Sequence, residues 1–233
     1  MSDYTRFAVY YLPPLGPLTE FGAQWLGWNI DTGSAVAHFD IPDLDVFTQT
    51  PRKYGFHGTL KPPFRLADGM TLDGLRHAVA TLAKTQPAVQ IDGLTPIKLG
   101  RFWALAPVGD TADLAHLATR IVQDLDGFRA PSTPEDLERR RKANLTLEQV
   151  AHLQKWGYPY VLDQFKFHLT LTGKLSKPQS RLAEAALADT LPSLPQPYPI
   201  NTIALVGERS DGQFETLHRY DLTGQNNGAK SSV

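Results

Sequence analysis

Hydrophobic and polar positions alternate with the two-residue period of a β-strand in two segments that lie far apart in the chain. Residues 54–61 read Tyr-Gly-Phe-His-Gly-Thr-Leu-Lys, and residues 165–172 read Phe-Lys-Phe-His-Leu-Thr-Leu-Thr. Because successive side chains of a strand point to opposite faces, each segment predicts one apolar and one polar face. The polar face of the first segment would carry His57, Thr59 and Lys61. The polar face of the second would carry Lys166, His168, Thr170 and Thr172.

One such strand alone is typical of an ordinary half-buried strand, in which His and Thr face solvent. Both segments, however, contain Phe-His-x-Thr-Leu in matching hydrophobic surroundings. The recurrence favours a paired reactive site over two unrelated solvated faces.

Apolar residues at helical spacing predict helices between these strands. The predicted helices span residues 18–28, 71–84, 111–126 and 182–191, with further helix starts at the capping residues Thr133, Thr146 and Ser176. The remaining apolar runs predict strands at 7–12, 88–94, 99–108, 199–207 and 214–222. Residues 40–51 are rich in proline and aspartate and predict a loop, while proline predicts a break at Pro62 and Pro63 and a turn at Thr95 and Pro96.

The order of His-x-Thr strand, helix and paired strands occurs twice along the chain. This predicts an α+β fold with two pseudo-symmetric lobes, each an antiparallel sheet with covering helices, that face a central cleft. We expect one bilobal domain over residues 1–223, followed by a disordered polar tail at 224–233.

A polar helical insertion at about 128–160 separates the two motifs, and we expect it to connect the lobes or to form a lid over the cleft. Its basic run, residues 139–142, would compensate the dipole of the helix that starts at Thr133. The alternative is an electropositive rim that attracts a phosphorylated substrate.

The composition narrows the classes of function. The chain has 23 basic and 24 acidic residues, and its net charge of −1 disfavours a large nucleic-acid footprint. It contains no cysteine, which excludes disulfides, thiolate nucleophiles and Cys-ligated metals. The start lacks a signal-peptide pattern, and no apolar run approaches the ~20 residues that span a membrane. We therefore expect a cytoplasmic protein without a membrane partner.

Two imidazoles that face one cleft suit a displacement at phosphorus. A neutral His takes the proton from the attacking water or hydroxyl, and a protonated His delivers one to the departing oxygen. The sequence leaves open which of His57 and His168 takes which role. Thr59 and Thr170 would donate hydrogen bonds to the non-bridging phosphate oxygens.

Other chemistries fit the sequence less well. Two His residues are half of a zinc site, but no carboxylate accompanies either motif on its polar face, so we expect no metal and no cofactor. The Gly-x-Ser-x-Gly elbow of a serine hydrolase is absent, and so is a phosphate-binding P-loop.

The repeated His-x-Thr motif resembles the two-histidine (2H) phosphoesterase superfamily, which includes RNA 2′,3′-cyclic phosphodiesterases. The resemblance covers nearly the whole chain. Five flanking stretches, which start at residues 6, 54, 99, 128 and 156, are similar to a bacterial branch of phosphonate-metabolism proteins. The resemblance implies that His57 and His168 are catalytic and that Thr59 and Thr170 hold phosphate.

The flanks differ from those of the RNA enzymes, so we hypothesise a metal-independent phosphodiesterase that acts on a small cyclic phosphate, such as a ribose 1,2-cyclic phosphate. The alternatives are an RNA-end 2′,3′-cyclic phosphodiesterase and a non-catalytic protein that binds a phosphorylated ligand or RNA. Further candidates for substrate binding are Lys61, Arg101, Arg129 and Tyr11.

Overall fold

The computed structural model describes residues 4–141 and 144–225. The strands are β1 Arg6–Tyr11, β2 Trp28–Asn29, β3 Ser34–Ala35, β4 Gly58–Phe64, β5 Val89–Ile91, β6 Gly93–Leu99, β7 Phe102–Val108, β8 Leu169–Thr170, β9 Tyr198–Ile200, β10 Thr202–Glu208 and β11 Phe214–Asp221. The α-helices are α1 Pro17–Leu26, α2 Leu44–Arg52, α3 Leu72–Thr85, α4 Ala112–Asp124, α5 Pro134–Arg141, α6 Leu147–Trp156 and α7 Lys177–Thr190. None of the helices in these ranges has the length and apolar character needed to cross a membrane.

Seven strands form one antiparallel sheet in the order β11-β10-β1-β4-β8-β7-β6. The two His-x-Thr strands, β4 and β8, are neighbours at its centre and are joined by a single pair, Gly58 with Leu169. The predicted α+β class with antiparallel strands is confirmed. The sheet is continuous across the junction, with a lobe on either side of it.

The lobes are not continuous in sequence, because their hairpins are exchanged. The β6–β7 hairpin follows the first His-x-Thr strand in the chain but pairs with the second, β8. The β10–β11 hairpin follows the second but lies against β1, the neighbour of β4. The two connections meet where β5 pairs with β9.

Strand β1 has both faces buried, and its alternation places one face toward each side of the sheet. Phe7, Val9 and Tyr11 belong to the main core, which lies under the helices. Ala8 and Tyr10 belong to a second cluster that packs with Phe214 of β11 and Trp28. Tyr10 therefore shares a sheet face with this second cluster, and Tyr11 points into the main core.

The helix caps predicted from the sequence are confirmed. The Thr71 side chain accepts a hydrogen bond from Gly74 N–H at the start of α3. Thr146 and Ser176 each form a reciprocal capping box, with Gln149 and Gln179, at the starts of α6 and α7.

The predicted loop over residues 40–51 is wrong, because α2 occupies Leu44–Arg52. Pro51 lies in its last turn, where its missing N–H would have bonded to the carbonyl oxygen of Phe47. That oxygen instead accepts a 2.7 Å hydrogen bond from Gly173 N–H. A contact from a distant part of the chain thus replaces the bond that proline removes.

The predicted proline breaks within the sheet are also wrong. β4 runs through Pro62 and Pro63 to Phe64, and there it pairs with β1 on one side only, since β8 meets it at Gly58. Pro96 lies within β6, the outermost strand, and the hairpin turn falls instead after Leu99. Proline is tolerated at such unpaired strand edges because no ladder hydrogen bond is lost.

Two predictions concern residues outside the described ranges. Of the basic run 139–142, Arg140 is the member whose side chain the structure describes. Of the predicted tail, residues 226–233 lie outside the description, while Gly224 N–H donates a 2.9 Å hydrogen bond to the carbonyl oxygen of Gln86.

Candidate active site

A cleft of about 750 Å³ is lined by all four residues of the repeated motif, His57, Thr59, His168 and Thr170. Each His lies immediately before a strand, β4 or β8, and each Thr lies within that strand. Because β4 and β8 are hydrogen-bonded neighbours, the two motifs lie side by side. The structure thus brings together the residues that the repeat singles out.

Gly58 permits this close approach of the two strands. A Cβ atom on Gly58 would lie 2.4 Å from the ring of Phe167, a distance at which the ring or the strand would have to move. The aromatic residue before the second histidine therefore packs directly onto the backbone between the first histidine and its threonine.

The ring of His57 is held through both nitrogens. Nδ1 lies 2.9 Å from the carbonyl oxygen of Gly55, and Nε2 lies 3.0 Å from Oγ1 of Thr59. A carbonyl oxygen only accepts, so Nδ1 carries the proton; in the neutral ring Nε2 is then the acceptor and Thr59 donates to it. The basic nitrogen of neutral His57 therefore faces the cleft.

The surroundings of His57 favour its neutral form. The ring of Tyr10 stacks on it, with centroids 3.7 Å apart and an interplanar angle of 19°. Burial lowers the pKa of His57 to about 4, with the Gly55 hydrogen bond opposing the shift and the charge of His168 adding to it. His57 is therefore neutral at neutral pH.

His168 repeats the backbone contact in a more open setting. Its Nδ1 lies 2.8 Å from the carbonyl oxygen of Lys166, which again leaves Nε2 for the cleft. The nearest aromatic ring, that of Phe102, is tilted by 50° at a centroid distance of 5.8 Å. In both motifs the carbonyl oxygen two residues before the histidine selects the tautomer.

The charged side chains that line the cleft within the described residues are all basic. They are Arg6, Arg140 and Lys166, and no carboxylate joins them. This arrangement favours an anionic ligand.

The predicted direction of Lys61 is wrong. The pairing register shifts by one residue between Tyr10 with Thr59 and Val9 with Lys61, so the alternation of faces is interrupted. Lys61 is 2% exposed, and its Nζ donates a 3.0 Å hydrogen bond to the carbonyl oxygen of Val122 in the last turn of α4. Burial lowers its pKa to about 8, against the opposing effect of Asp126.

Thr172 also leaves the predicted polar face. Its side chain is 1% exposed and accepts a 3.0 Å hydrogen bond from Trp103 N–H. The carbonyl oxygen of Trp103 accepts from both Leu171 and Thr172, which ends the regular ladder just after β8.

The three other predicted substrate-binding residues do not line the cleft. Tyr11 is fully buried, and its hydroxyl bonds to that of Tyr198 at 2.8 Å. Arg101 lies in the turn between β6 and β7, with Nε 3.4 Å from the carbonyl oxygen of Leu175. Arg129 makes a two-point contact with Asp126 and lines a smaller pocket beside the cleft.

Several cleft residues were missing from the predicted site. The insertion contributes Gln149, Tyr158 and Tyr160, and β1 contributes Arg6 and Tyr10. The aromatic content of residues 156–160 is a signal that could have identified the insertion's share of the wall. The position of Arg6 depends on long-range strand pairing and has no local signal. Among the described residues, no group of three or more His, Asp or Glu is arranged to hold a metal ion.

A family model described as "Protein of unknown function (DUF1045)" matches residues 59–215. A curated relative from Janthinobacterium sp. (strain Marseille), named ribose 1,5-bisphosphate phosphokinase PhnN, is 33% identical over an alignment that covers 100% of this chain and 53% of the relative. The chain spans about half the length of the curated relatives it matches.

The solved structures that match are distant in sequence. A protein of Thermus thermophilus, TT0787, is 16% identical, with a TM-score of 0.45 and coverage of 94% of this chain and 99% of that one. E. coli LigT complexed with phosphate is 15% identical, with a TM-score of 0.43 and coverage of 95% and 99%. A further match, described as a phosphoesterase, is 15% identical, with a TM-score of 0.43 and coverage of 94% of this chain and 99% of that one.

Proposed function

The chain belongs to the DUF1045 family, and we propose that it is a phosphoesterase that hydrolyses a cyclic phosphodiester by acid–base catalysis between His57 and His168. One observation carries the proposal: two imidazoles, each tied through Nδ1 to a backbone carbonyl, line a single cleft whose charged groups are basic. Such a cleft suits a phosphate anion and presents two proton-transfer groups to it.

His57 is the general base. Its pKa of about 4 keeps Nε2 unprotonated at neutral pH, and Nδ1 is occupied by Gly55. A bound phosphate would raise this pKa, because negative charge nearby stabilises the imidazolium. The proton acceptor would thus become stronger once substrate is in place.

His168 is the general acid. Water loses a proton to His57 Nε2 as its oxygen bonds to phosphorus. The bond from phosphorus to the ring ester oxygen then breaks, and that oxygen takes a proton from His168 Nε2. The product is a phosphomonoester with a free hydroxyl, and both histidines return to their starting forms by exchange with solvent.

Thr59 and Thr170 bind the non-bridging oxygens of the phosphate. Without substrate, the Thr59 hydroxyl donates its one hydrogen bond to Nε2 of His57. Substrate would take over that hydrogen bond, which frees Nε2 of His57 for water. Binding and activation of the base are therefore one event.

Ribose cyclic phosphates are the substrates we propose. The support is the name of the curated relatives, which concerns a ribose bisphosphate. The phosphokinase activity in that name is not carried over, because this chain lacks a P-loop and corresponds to about half of those proteins.

A panel of ribose and nucleoside cyclic phosphates, followed by phosphorus NMR, tests the function. We expect ring opening to a monoester that persists when a chelator is added and is lost in His57→Ala and His168→Ala. Titration calorimetry on the same panel identifies the alternative, since binding of several members without turnover by the wild type would indicate a phosphate-binding protein. RNA oligomers with a cyclic 2′,3′ end complete the panel and test the RNA-end alternative.

A further inference from the structure

A small pocket opens beside the cleft, and we propose that it binds a second anionic group of the substrate, a phosphomonoester at the end remote from the reacting phosphorus. We call it the side pocket; its polar lining is Arg6, Arg65, Arg129, Ser132, Asp136 and Arg140. The inference deepens the proposed function and rests on it.

The charges of the side pocket favour an anion. Four guanidinium groups line it, and Asp136 is the one carboxylate in the lining; Glu208 and Asp126, which pair with Arg6 and Arg129, lie outside it. Arginine keeps its charge at every working pH, and its planar fork of donors matches the oxygens of a phosphate. A phosphomonoester, close to a dianion at neutral pH, offers these guanidinium donors more charge and more acceptor oxygens than a singly charged carboxylate.

Ion pairs hold these arginines in place without using all of their donors. Arg6 contacts Glu208 through Nε and Nη2, and Arg65 contacts Asp136 through Nη2. Within the described residues, Nη1 of Arg6 and both Nε and Nη1 of Arg65 form no further hydrogen bond. These N–H groups are available to a ligand whose charge the cluster already attracts.

The side pocket is continuous with the catalytic cleft. Arg6, Pro63 and Arg140 line both spaces. Along β4, Pro63 lies four residue steps beyond Thr59, which is about 13 Å of extended chain. Long arginine side chains shorten the gap, so one small molecule can place its two anionic ends in the two spaces.

The size of the side pocket fits a single tetrahedral group. Its volume is about 50 Å³, whereas one water needs roughly 10–15 Å³ by the same measure. The pocket therefore holds a phosphate group but not a sugar or a base.

Gly157 keeps the side pocket open. It ends α6 in the left-handed conformation, with φ of 72°. A Cβ atom there would lie 3.0 Å from Nη1 of Arg129 and 3.1 Å from Oγ of Ser132. A side chain at this position would thus press on two of the pocket's polar groups.

The test compares ribose 1,2-cyclic phosphate with the same compound that also carries a 5-phosphate. We expect wild type to prefer the 5-phosphorylated substrate through a lower KM. Arg65→Ala should shrink that preference by about 10- to 100-fold, the scale of one or two charge-assisted hydrogen bonds.

Arg120→Ala is the matched control. Arg120 is 45% exposed and pairs with Asp124, and Arg65 is 44% exposed and pairs with Asp136. Unlike Arg65, Arg120 lines neither the side pocket nor the cleft. It should retain the full preference. Equal KM values for the two substrates in wild type, or a preference that survives Arg65→Ala, would overturn the side-pocket assignment.

Binding of inorganic phosphate separates this inference from the proposed function. If no cyclic phosphate is hydrolysed, the proposed function fails. Phosphate binding that is weakened by Arg65→Ala, but retained in His57→Ala and Arg120→Ala, still supports the pocket. Equal phosphate affinity in all the variants overturns the side-pocket assignment. The assignment also fails if Arg65→Ala weakens the binding of an RNA oligomer more than it weakens the binding of the sugar phosphate.

Discussion

His57 and His168 occupy equivalent positions in the repeat, yet the strands beside them give the two rings different surroundings. The residue paired with Thr59 on the neighbouring strand is Tyr10, and the residue paired with Thr170 is Ala104. The large ring of Tyr10 stacks on His57, whereas Ala104 has no ring that could stack on His168. The backbone selects the same tautomer in both motifs, and the neighbouring strand places a stacked aromatic ring on His57.

This difference fits the proposed roles, in which His57 is the base and His168 the acid. A base needs a free lone pair at the working pH, and burial under Tyr10 keeps His57 neutral. An acid needs a proton, which a ring in contact with water can recover after each turnover. The predictions below either break this asymmetry or measure it.

Loss of either histidine should have the largest effect. We expect kcat to fall by about 10²- to 10⁴-fold in His57→Ala and in His168→Ala, the usual contribution of general acid–base catalysis. An aryl phosphodiester with a nitrophenolate leaving group, which departs without a proton, should restore much of the rate to His168→Ala but not to His57→Ala. Equal rescue of both variants would show that the acid and base assignments are wrong.

Loss of the threonine hydroxyls should come next. Thr59→Val and Thr170→Val should each lower kcat by about 10²-fold, as expected for one donor to a developing charge. Thr59→Val also removes the hydrogen bond to His57 Nε2. Of the two variants, Thr59→Val should therefore be the one that displaces the acid limb of the pH profile, where the rate falls as His57 is protonated. Steady-state kinetics over the full pH range distinguishes the two, and identical displacements would contradict the asymmetry.

Uncovering His57 should have a smaller effect on rate and a clear one on pH dependence. In wild type, the acid limb of kcat/KM, which reports the free enzyme, should lie near pH 4 because protonation of His57 removes the base. Tyr10→Ala admits water to the ring, so the limb should move toward the ordinary histidine value, with a rate loss of about tenfold or less at pH 7. Tyr10→Phe keeps the stacked ring and should keep the limb in place. If Tyr10→Ala leaves the acid limb in place, the stacked ring of Tyr10 does not set the pKa of His57.

The effect that is smallest at neutral pH is on stability. The pKa of His57 is lower in the folded state than the value of about 6.5 in the unfolded chain. Above pH 6.5 this group adds no pH dependence. Between pH 6.5 and 4 the unfolded chain binds the proton first, and the free energy of unfolding falls by about 3 kcal/mol. Urea melts of His57→Gln should lack this part of the slope. A slope that persists unchanged in His57→Gln would contradict the assignment.

Local patterns in the sequence were sufficient for the motifs and the helix starts. Phe-His-x-Thr-Leu marked both halves of the site, and the capping residues Thr71, Thr146 and Ser176 begin their helices as predicted. These features depend on neighbours within a few residues, which a linear pattern records.

What the sequence did not predict depends on contacts between distant segments. Lys61 leaves the cleft because of a shift in register against β1, and α2 tolerates Pro51 because Gly173 supplies the missing hydrogen bond. The contrast between Tyr10 and Ala104 exists only once the strands are paired. Periodicity indicates which face a side chain takes in a regular strand. These positions lie where the regular strand is interrupted, or where a contact with a distant segment determines the environment of the side chain.

Because the hairpins are exchanged, the β10–β11 hairpin packs in the lobe that contains β1 and β4. β10 and β11 complete the lobe of His57, where Phe214 of β11 contacts both Tyr10 and Tyr54. Removal of this C-terminal hairpin would therefore damage the wall behind the first histidine, while the strands beside the second, β7 and β6, would keep their pairing. Neither half of the repeat carries its own complete lobe, because each His-x-Thr strand depends on a hairpin from the other half of the sequence.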